Sequence, residues 1–171
     1  MTNTLTRRLT WSVAREPVGS AVAAELLRTY YTEVSDRYYG RPTTEAEIEQ
    51  GLTDDPSDDL APPTGEFLAA RYGDEASGCV GLRVLDASTA ELTRMFVRPG
   101  LRGLGGGSRL LTAAEAAARA LGSRRIVLDT RLDLVEARGL YAKHGYGEIP
   151  RYNRSRYAEV WFGKELGGSG E

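Results

Sequence analysis

One run of residues constrains this chain more than any other: Glu91-Leu-Thr-Arg-Met-Phe-Val-Arg-Pro-Gly-Leu-Arg-Gly-Leu-Gly-Gly-Gly-Ser-Arg-Leu-Leu111. It reads as a strand, a glycine-rich turn entered through an arginine, and an amphipathic helix. Five glycines fall between Gly100 and Gly107, and four of them lie from Gly103 onward. Without a Cβ to block the approach, such a turn can aim several backbone N–H groups at one spot. The helix behind it adds the positive end of its dipole. Together these features predict a site for a phosphorylated ligand.

The pattern around the turn predicts the fold. Residues 9–14 alternate apolar and polar, as a strand does. Val22, Leu26, Tyr30 and Val34 step by four, predicting a helix over 18–37 that Arg41-Pro42 breaks. Thr44 with Glu47 three residues on has the form of a capping box and predicts a helix over 44–52. A loop rich in Asp and Pro follows over 54–63. Strands are predicted over 66–72, 78–85 and 90–97, joined by short turns into an antiparallel meander. Leu110, Leu111, Ala114, Ala117, Ala118 and Leu121 form the apolar stripe of a helix over 107–121, stopped at Gly122. The strand predicted next, over 125–129, must run parallel to 90–97, because a helical crossover joins the two. Asp133, with Glu136, is expected to cap a last helix carrying Ala137, Leu140 and Tyr141 and ending at Gly145. Strands over 146–149 and 157–162 complete the order β-α-α-β-β-β-α-β-α-β-β. The expected fold is an α/β mixed, mostly antiparallel sheet of six to seven strands with about four helices on its two faces. It is expected as a single domain over 1–166, with a flexible tail at 167–171.

Composition narrows the function classes. The formal net charge of −2 gives no global field for nucleic acid. The basic cluster Arg151, Arg154 and Arg156 with Tyr152 and Tyr157 therefore reads as a solvated loop. A lone cysteine, Cys79, fits a reducing compartment, and its place in a strand predicts a buried thiol. No apolar run reaches the roughly 20 residues that span a bilayer, and the first residues lack the apolar core of a secretory signal. The expectation is a cytoplasmic protein, monomer or homodimer, that binds small molecules and neither nucleic acid nor membrane. His144, the only histidine, precedes a helix-stopping glycine and is expected to cap a helix rather than bind metal.

A glycine cluster alone most often marks a tight strand-to-helix turn. The P-loop pattern fails, since Ser108-Arg109 stands where Lys-Ser/Thr is needed. A dinucleotide fold could use Gly-Leu-Gly-Gly-Gly and Asp129, but its turn belongs after the first strand, not after an antiparallel meander. The better match is an arginine followed by x-x-Gly-x-Gly, here Arg102, Gly105 and Gly107. At these residues the chain resembles the GNAT superfamily of acyl-CoA-dependent N-acyltransferases, whose signature at this turn cradles the CoA pyrophosphate. A second segment, Ala137-Arg-Gly-Leu-Tyr141-Ala-Lys-His-Gly145-Tyr146, resembles the family's later motif, with Tyr146 for the usual Phe. The likeness covers about residues 66–162. One departure is Leu134, which stands where the family often has an Asn that contacts pantetheine or the amide.

The resemblance implies a site. Met95, Phe96 and Val97 would lie along pantetheine, as an added strand does, with an amide near Met95 or Phe96 polarising the thioester. Arg102, Gly103, Leu104, Gly105, Gly106, Gly107 and Ser108 would hold the phosphates of acetyl-CoA; Arg109 and Lys143 are weaker candidates, better read as residues of a solvated helix face. Tyr141 would also touch the donor and protonate the leaving thiolate, against the plain reading of a core aromatic. Glu91, or water, would take the amine's proton, against the plain reading of a solvated strand residue. Tyr30, Tyr31, Arg37, Tyr38 and Glu91, with the acidic loop and residues 152–157, would meet the acceptor, a small-molecule primary amine. Two other readings stay open: a CoA-binding sensor or scaffold without catalysis, and an NAD(P)-dependent enzyme.

Overall fold

The structure is a computed structural model and describes residues 9–167. Residues 1–8 and the tail beyond Gly167 lie outside the described residues, and with them the expectations for the first residues and for the tail. In chain order the elements are β1 (Trp11–Arg15), α1 (Ala21–Tyr39), α2 (Glu45–Asp54), β2 (Gly65–Tyr72), β3 (Glu75–Val84), β4 (Thr89–Val97), a 3-10 turn (Pro99–Leu101), α3 (Gly106–Ala120), β5 (Arg125–Thr130), α4 (Val135–Lys143), β6 (Gly147–Glu148) and β7 (Val160–Glu165). The strands form one seven-stranded sheet in the order β1-β2-β3-β4-β5-β7-β6. Only β4 and β5 run parallel; the other pairs are antiparallel. The fold class and element order are those the sequence predicts.

Local chemistry explains most boundaries. Ser20 starts α1 by accepting the Ala23 N–H, and Gly40 ends it in the left-handed region at φ 69°. The capping box at α2 is present: Thr44 accepts the Glu47 N–H and Glu47 accepts the Thr44 N–H. The helix α4 differs from expectation. Leu134, not Asp133, is its N-cap, with no side-chain bond. Arg131 holds both Asp133 carboxylate oxygens, at 2.8 and 2.9 Å, so the expected capping box does not form. The last two strands also shift along the chain, because β7 follows its register with β5, from Thr130–Val160 to Arg125–Glu165.

The sheet has an apolar cluster on each face. Leu68, Val80, Leu82 and Ile126 pack with Leu110, Leu111 and Ala114 of α3. Phe67, Ala69 and Cys79 pack with Leu26 and Leu27 of α1. In β4 the alternation changes hand. Ala90 and Leu92 join the α3 cluster, and beyond Arg94 it is Met95 and Val97 that pack against it. The cause is a bulge: the register with β3 slips between Cys79–Phe96 and Gly81–Thr93, and Arg94 sits at φ 55°. Consequently Glu91 and Phe96, five residues apart in sequence, face the same side of the sheet as α1.

Candidate functional site

The parallel ladder between β4 and β5 runs only from Thr89–Arg125 to Glu91–Val127. Beyond it the two strands diverge, and a cleft of about 780 Å³ opens between them. Its walls come from α1, β4, the glycine turn, the end of β5 and α4.

At one end lies the glycine turn. Gly103 and Gly105 have φ of 83° and 90°, a region that side chains with a Cβ rarely adopt. Gly106 is glycine for a different reason: a Cβ there would stand 2.5 Å from the Trp11 ring. Trp11 in turn donates its indole N–H to the Leu104 carbonyl at 2.9 Å, which ties the turn to β1. The Leu104 side chain is exposed and lies off the cleft wall. The first turn of α3 leaves the N–H groups of Gly106, Gly107 and Ser108 without intrahelical acceptors, and these residues line the cleft. Leu140 of α4 closes against Gly107, and the His144 ring lies 3.0 Å from the Ser108 hydroxyl. His144 is the C-cap residue of α4, as its position implies, and its ring also links α4 to α3. The backbone between Gly103 and Ser108 is thus held from outside, with donors facing in. That arrangement fits a pyrophosphate.

Arg102 has an unexpected neighbour. Its guanidinium grips Glu33 of α1 with both carboxylate oxygens, at 2.5 and 2.7 Å, and donates to the Val97 carbonyl. Tyr141, midway along the cleft, is buried with its ring 5.8 Å from that of Tyr146. Burial pushes its phenol well above the ordinary tyrosine range. Burial likewise pushes Tyr30, on the opposite wall, up to about 12. Met95, Phe96 and Val97 line the cleft where β4 has lost its partner.

The other end is built from side chains. Glu91 stands directly across β3 from Arg83, whose guanidinium lies 3.4 Å from it. Glu91 also accepts the Tyr152 hydroxyl at 2.7 Å and the Asn153 amide at 3.3 Å. The same Asn153 nitrogen donates to Asp129 at 2.7 Å, while its oxygen accepts the Trp161 indole N–H at 2.8 Å. Burial raises the Asp129 carboxyl above the ordinary range, and the Glu91 charge adds to the effect. Arg94 passes from the bulge into the loop after α2, where it meets Ser57, the Asp55 carbonyl and the Asp55 carboxylate. Tyr31, Arg37 and Tyr38 of α1 line this end too. Arg37 is bonded to the Asp133 carbonyl and to Glu136, which straps α1 to the start of α4.

The sequence profile of the acetyltransferase (GNAT) family matches residues 18–146. This chain belongs to that family. An IAA acetyltransferase of Azospirillum brasilense is 36% identical over 90 residues, a match covering 52% of this chain and 59% of that protein. The match thus spans about three-fifths of that relative's length. Among solved structures, a GNAT-family acetyltransferase of Staphylococcus aureus superposes with a TM-score of 0.73 at 19% identity, covering 92% of this chain and all of the other. The PaiA N-acetyltransferase of Thermoplasma acidophilum, solved with coenzyme A, superposes with a TM-score of 0.69 at 18% identity, covering 91% and 99%. These structures share the fold.

The GNAT chain thus brings most of its sequence-nominated residues to one cleft; Leu104, Arg109 and Tyr152 are not among those that line it. Sequence reasoning misses Asp129 as part of this cleft, because a lone carboxylate at a strand end has local meaning only in the dinucleotide pattern. It reads Tyr152 as part of a solvated basic loop and of the range facing the acceptor, not as a partner of Glu91, and it does not single out Asn153. The roles of the loop residues at 151–157 depend on a strand pairing, β5 with β7, that no local pattern announces. Cys79 is fully buried, and burial pushes its thiol up to about 12. Among the described residues no group of His, Cys, Asp and Glu side chains is arranged to hold a metal ion. Among them, too, no helix is long and apolar enough to cross a membrane.

Proposed function

We propose that this chain transfers an acetyl group from acetyl-CoA to the primary amine of a small molecule, by direct attack and without a covalent enzyme intermediate. The observation that carries the reading is the order of groups along one continuous cleft. Backbone N–H donors stand at one end, Tyr141 in the middle, and carboxylates with tyrosines at the other. Acetyl-CoA supplies the activated acyl group. Gly106, Gly107 and Ser108 hold its pyrophosphate, and the unpaired edge of β4 at Met95 to Val97 bonds the pantetheine amides. Tyr141, kept protonated by burial, gives its proton to the departing thiolate.

An alkylamine has a pKa near 10, so freeing its lone pair at pH 7 costs about 4 kcal/mol. The Glu91 end of the cleft supplies the anionic surroundings in which that proton can leave, to a carboxylate directly or through water. Tyr31 offers a π face to a cation, whereas the Tyr38 ring already has the Arg131 guanidinium 5.6 Å from its centroid. Arg37 is already bound to Glu136 and the Asp133 carbonyl, so it shapes the wall.

Release of free thiol from acetyl-CoA, measured across a panel of spermidine, tyramine, kanamycin and lysine, tests the proposal. Turnover with at least one amine is expected. Tight CoA binding without turnover on any amine would overturn it in favour of a CoA-binding sensor. Thermal stabilisation by NAD(P) and not by CoA would favour the oxidoreductase.

A further inference from the structure

The carboxylates on the cleft wall are not equivalent. Glu33 is matched by Arg102, Asp55 by Arg94 and Glu136 by Arg37, while Glu91 shares Arg83 with Asp59. Asp129 is the exception: among the described residues it has no cationic partner, and its bond is to the neutral amide of Asn153. We propose that Asp129 is the catalytic base that takes the proton of the acceptor amine, and that Glu91 is a positioning residue. This rests on the acetyltransferase reading above.

The geometry carries the assignment in three steps. First, register sets position. Glu91 pairs with Val127 at the last rung between β4 and β5, and Asp129 lies two residues further along β5, on the same face. It therefore sits where the strands have parted and the cleft begins. Second, Glu91 is occupied. One oxygen accepts from Tyr152 and Asn153, and the other faces Arg83. For Asp129 only Oδ2 is engaged, leaving Oδ1 to receive a proton. Third, Asn153 is itself oriented. The Trp161 indole can only donate, so it fixes the amide oxygen and directs the Asn153 nitrogen at both carboxylates. Two carboxylates share one neutral amide, and an arriving ammonium would give Asp129 the cationic partner it lacks. Burial favours protonation of Asp129, which suits a base.

The proton count closes as follows. The acceptor ammonium gives one proton to Asp129 Oδ1. Its freed electron pair forms the C–N bond at the thioester carbon. The C–S bond breaks, its electron pair leaves on sulfur, and the thiolate takes the Tyr141 proton. The remaining excess proton on nitrogen returns to the tyrosinate through water, and Asp129 releases its proton to solvent. The products are the amide and free CoA thiol.

The groups within electrostatic reach of Asp129 are Glu91 on β4, Asp55 beyond α2, Tyr30 on α1, Tyr141 on α4 and Tyr152 before β7. A base must be deprotonated to take the proton, so it gives kcat/KM an acid limb, and the residue whose removal abolishes that limb is the base. The experiment is the pH profile of kcat/KM for Asp129→Asn and Glu91→Gln, with acetyl-CoA and the best amine of the panel. Asp129→Asn is expected to lower kcat/KM by about 10²-fold or more and to abolish the acid limb, with acetyl-CoA affinity unchanged. Glu91→Gln is expected to keep the acid limb and to lose less activity. An acid limb that survives in Asp129→Asn and vanishes in Glu91→Gln would overturn the assignment while leaving the acetyltransferase reading intact. Absence of wild-type turnover on the whole panel would overturn that reading, and this inference with it. Equilibrium binding of acetyl-CoA to each variant separates either outcome from misfolding.

Discussion

The two ends of the cleft are made of different material. The donor end is backbone: six consecutive residues, Gly103 to Ser108, bent by two positive-φ glycines and braced by Trp11, Leu140 and His144. The acceptor end is side chains contributed by distant segments. Arg94 reaches Asp55 across 39 positions, Arg37 reaches Glu136 across 99, and Tyr152 reaches Glu91 across 61. A backbone site needs little from side-chain identity beyond the absence of Cβ, so it serves one unchanging ligand group. A side-chain site can be altered one residue at a time without disturbing the chain path.

Five measurements would break or sharpen this contrast. The largest effect is expected at the chemistry between the two ends. Tyr141→Phe should lower kcat about 10²-fold while leaving the acetyl-CoA dissociation constant unchanged. An unchanged kcat, with chemistry limiting, would remove Tyr141 as the acid. The next tests the donor end. Gly106→Ala puts a Cβ 2.5 Å from the Trp11 ring, a clash with a side chain anchored at Leu104. A stability loss of about 1–3 kcal/mol in chemical denaturation is expected, together with weaker acetyl-CoA binding. Full retention of affinity would mean that the turn tolerates displacement.

The third tests the seam. Arg102 belongs to the donor motif by sequence but is held by α1, which walls the acceptor end. A double-mutant cycle of Arg102→Ala and Glu33→Gln should give a coupling of about 1 kcal/mol, since both side chains are partly exposed. A coupling near zero would separate the two ends energetically. The smallest effect lies outside the cleft. Thr44→Ala removes the cap of α2 and should cost about 1 kcal/mol of stability without changing kcat. The same cap has a pH signature. Arg41 first, and then the Thr44 N–H, hold the Glu47 carboxyl down to about 2, against an ordinary 4.5. Because that value is lowered by folding, the support is present at neutral pH. It fades as pH falls from 4.5 through about 2, which acid titration followed by circular dichroism would register.

The same contrast explains what could be read early. The glycine turn, the α2 capping box and the antiparallel meander were legible because each is written in neighbouring residues: a φ, an i to i+3 bond, a period of two. The capping pattern at Asp133 has the same local form and still misleads. Arg131, two residues upstream, claims the carboxylate, and a pattern of acceptors cannot show which donor wins. The bulge at Arg94 has no sequence sign either, since a non-glycine residue at φ 55° is held there by tertiary bonds to Ser57 and Asp55. Asp129 was visible as a residue but not as a neighbour. Its partner Asn153 lies 24 positions away and comes to it only through the pairing of β5 with β7.

By itself the amino-acid sequence determined the order of elements, the glycine turn and the family, since backbone conformation and hydrophobic period are properties of adjacent residues. Only the tertiary structure decided which charges meet. Arg102 with Glu33, Arg83 with Glu91 and Asp129 with Asn153 are pairings through space, and Coulomb interactions and hydrogen bonds depend on distance between atoms, not on distance along the chain.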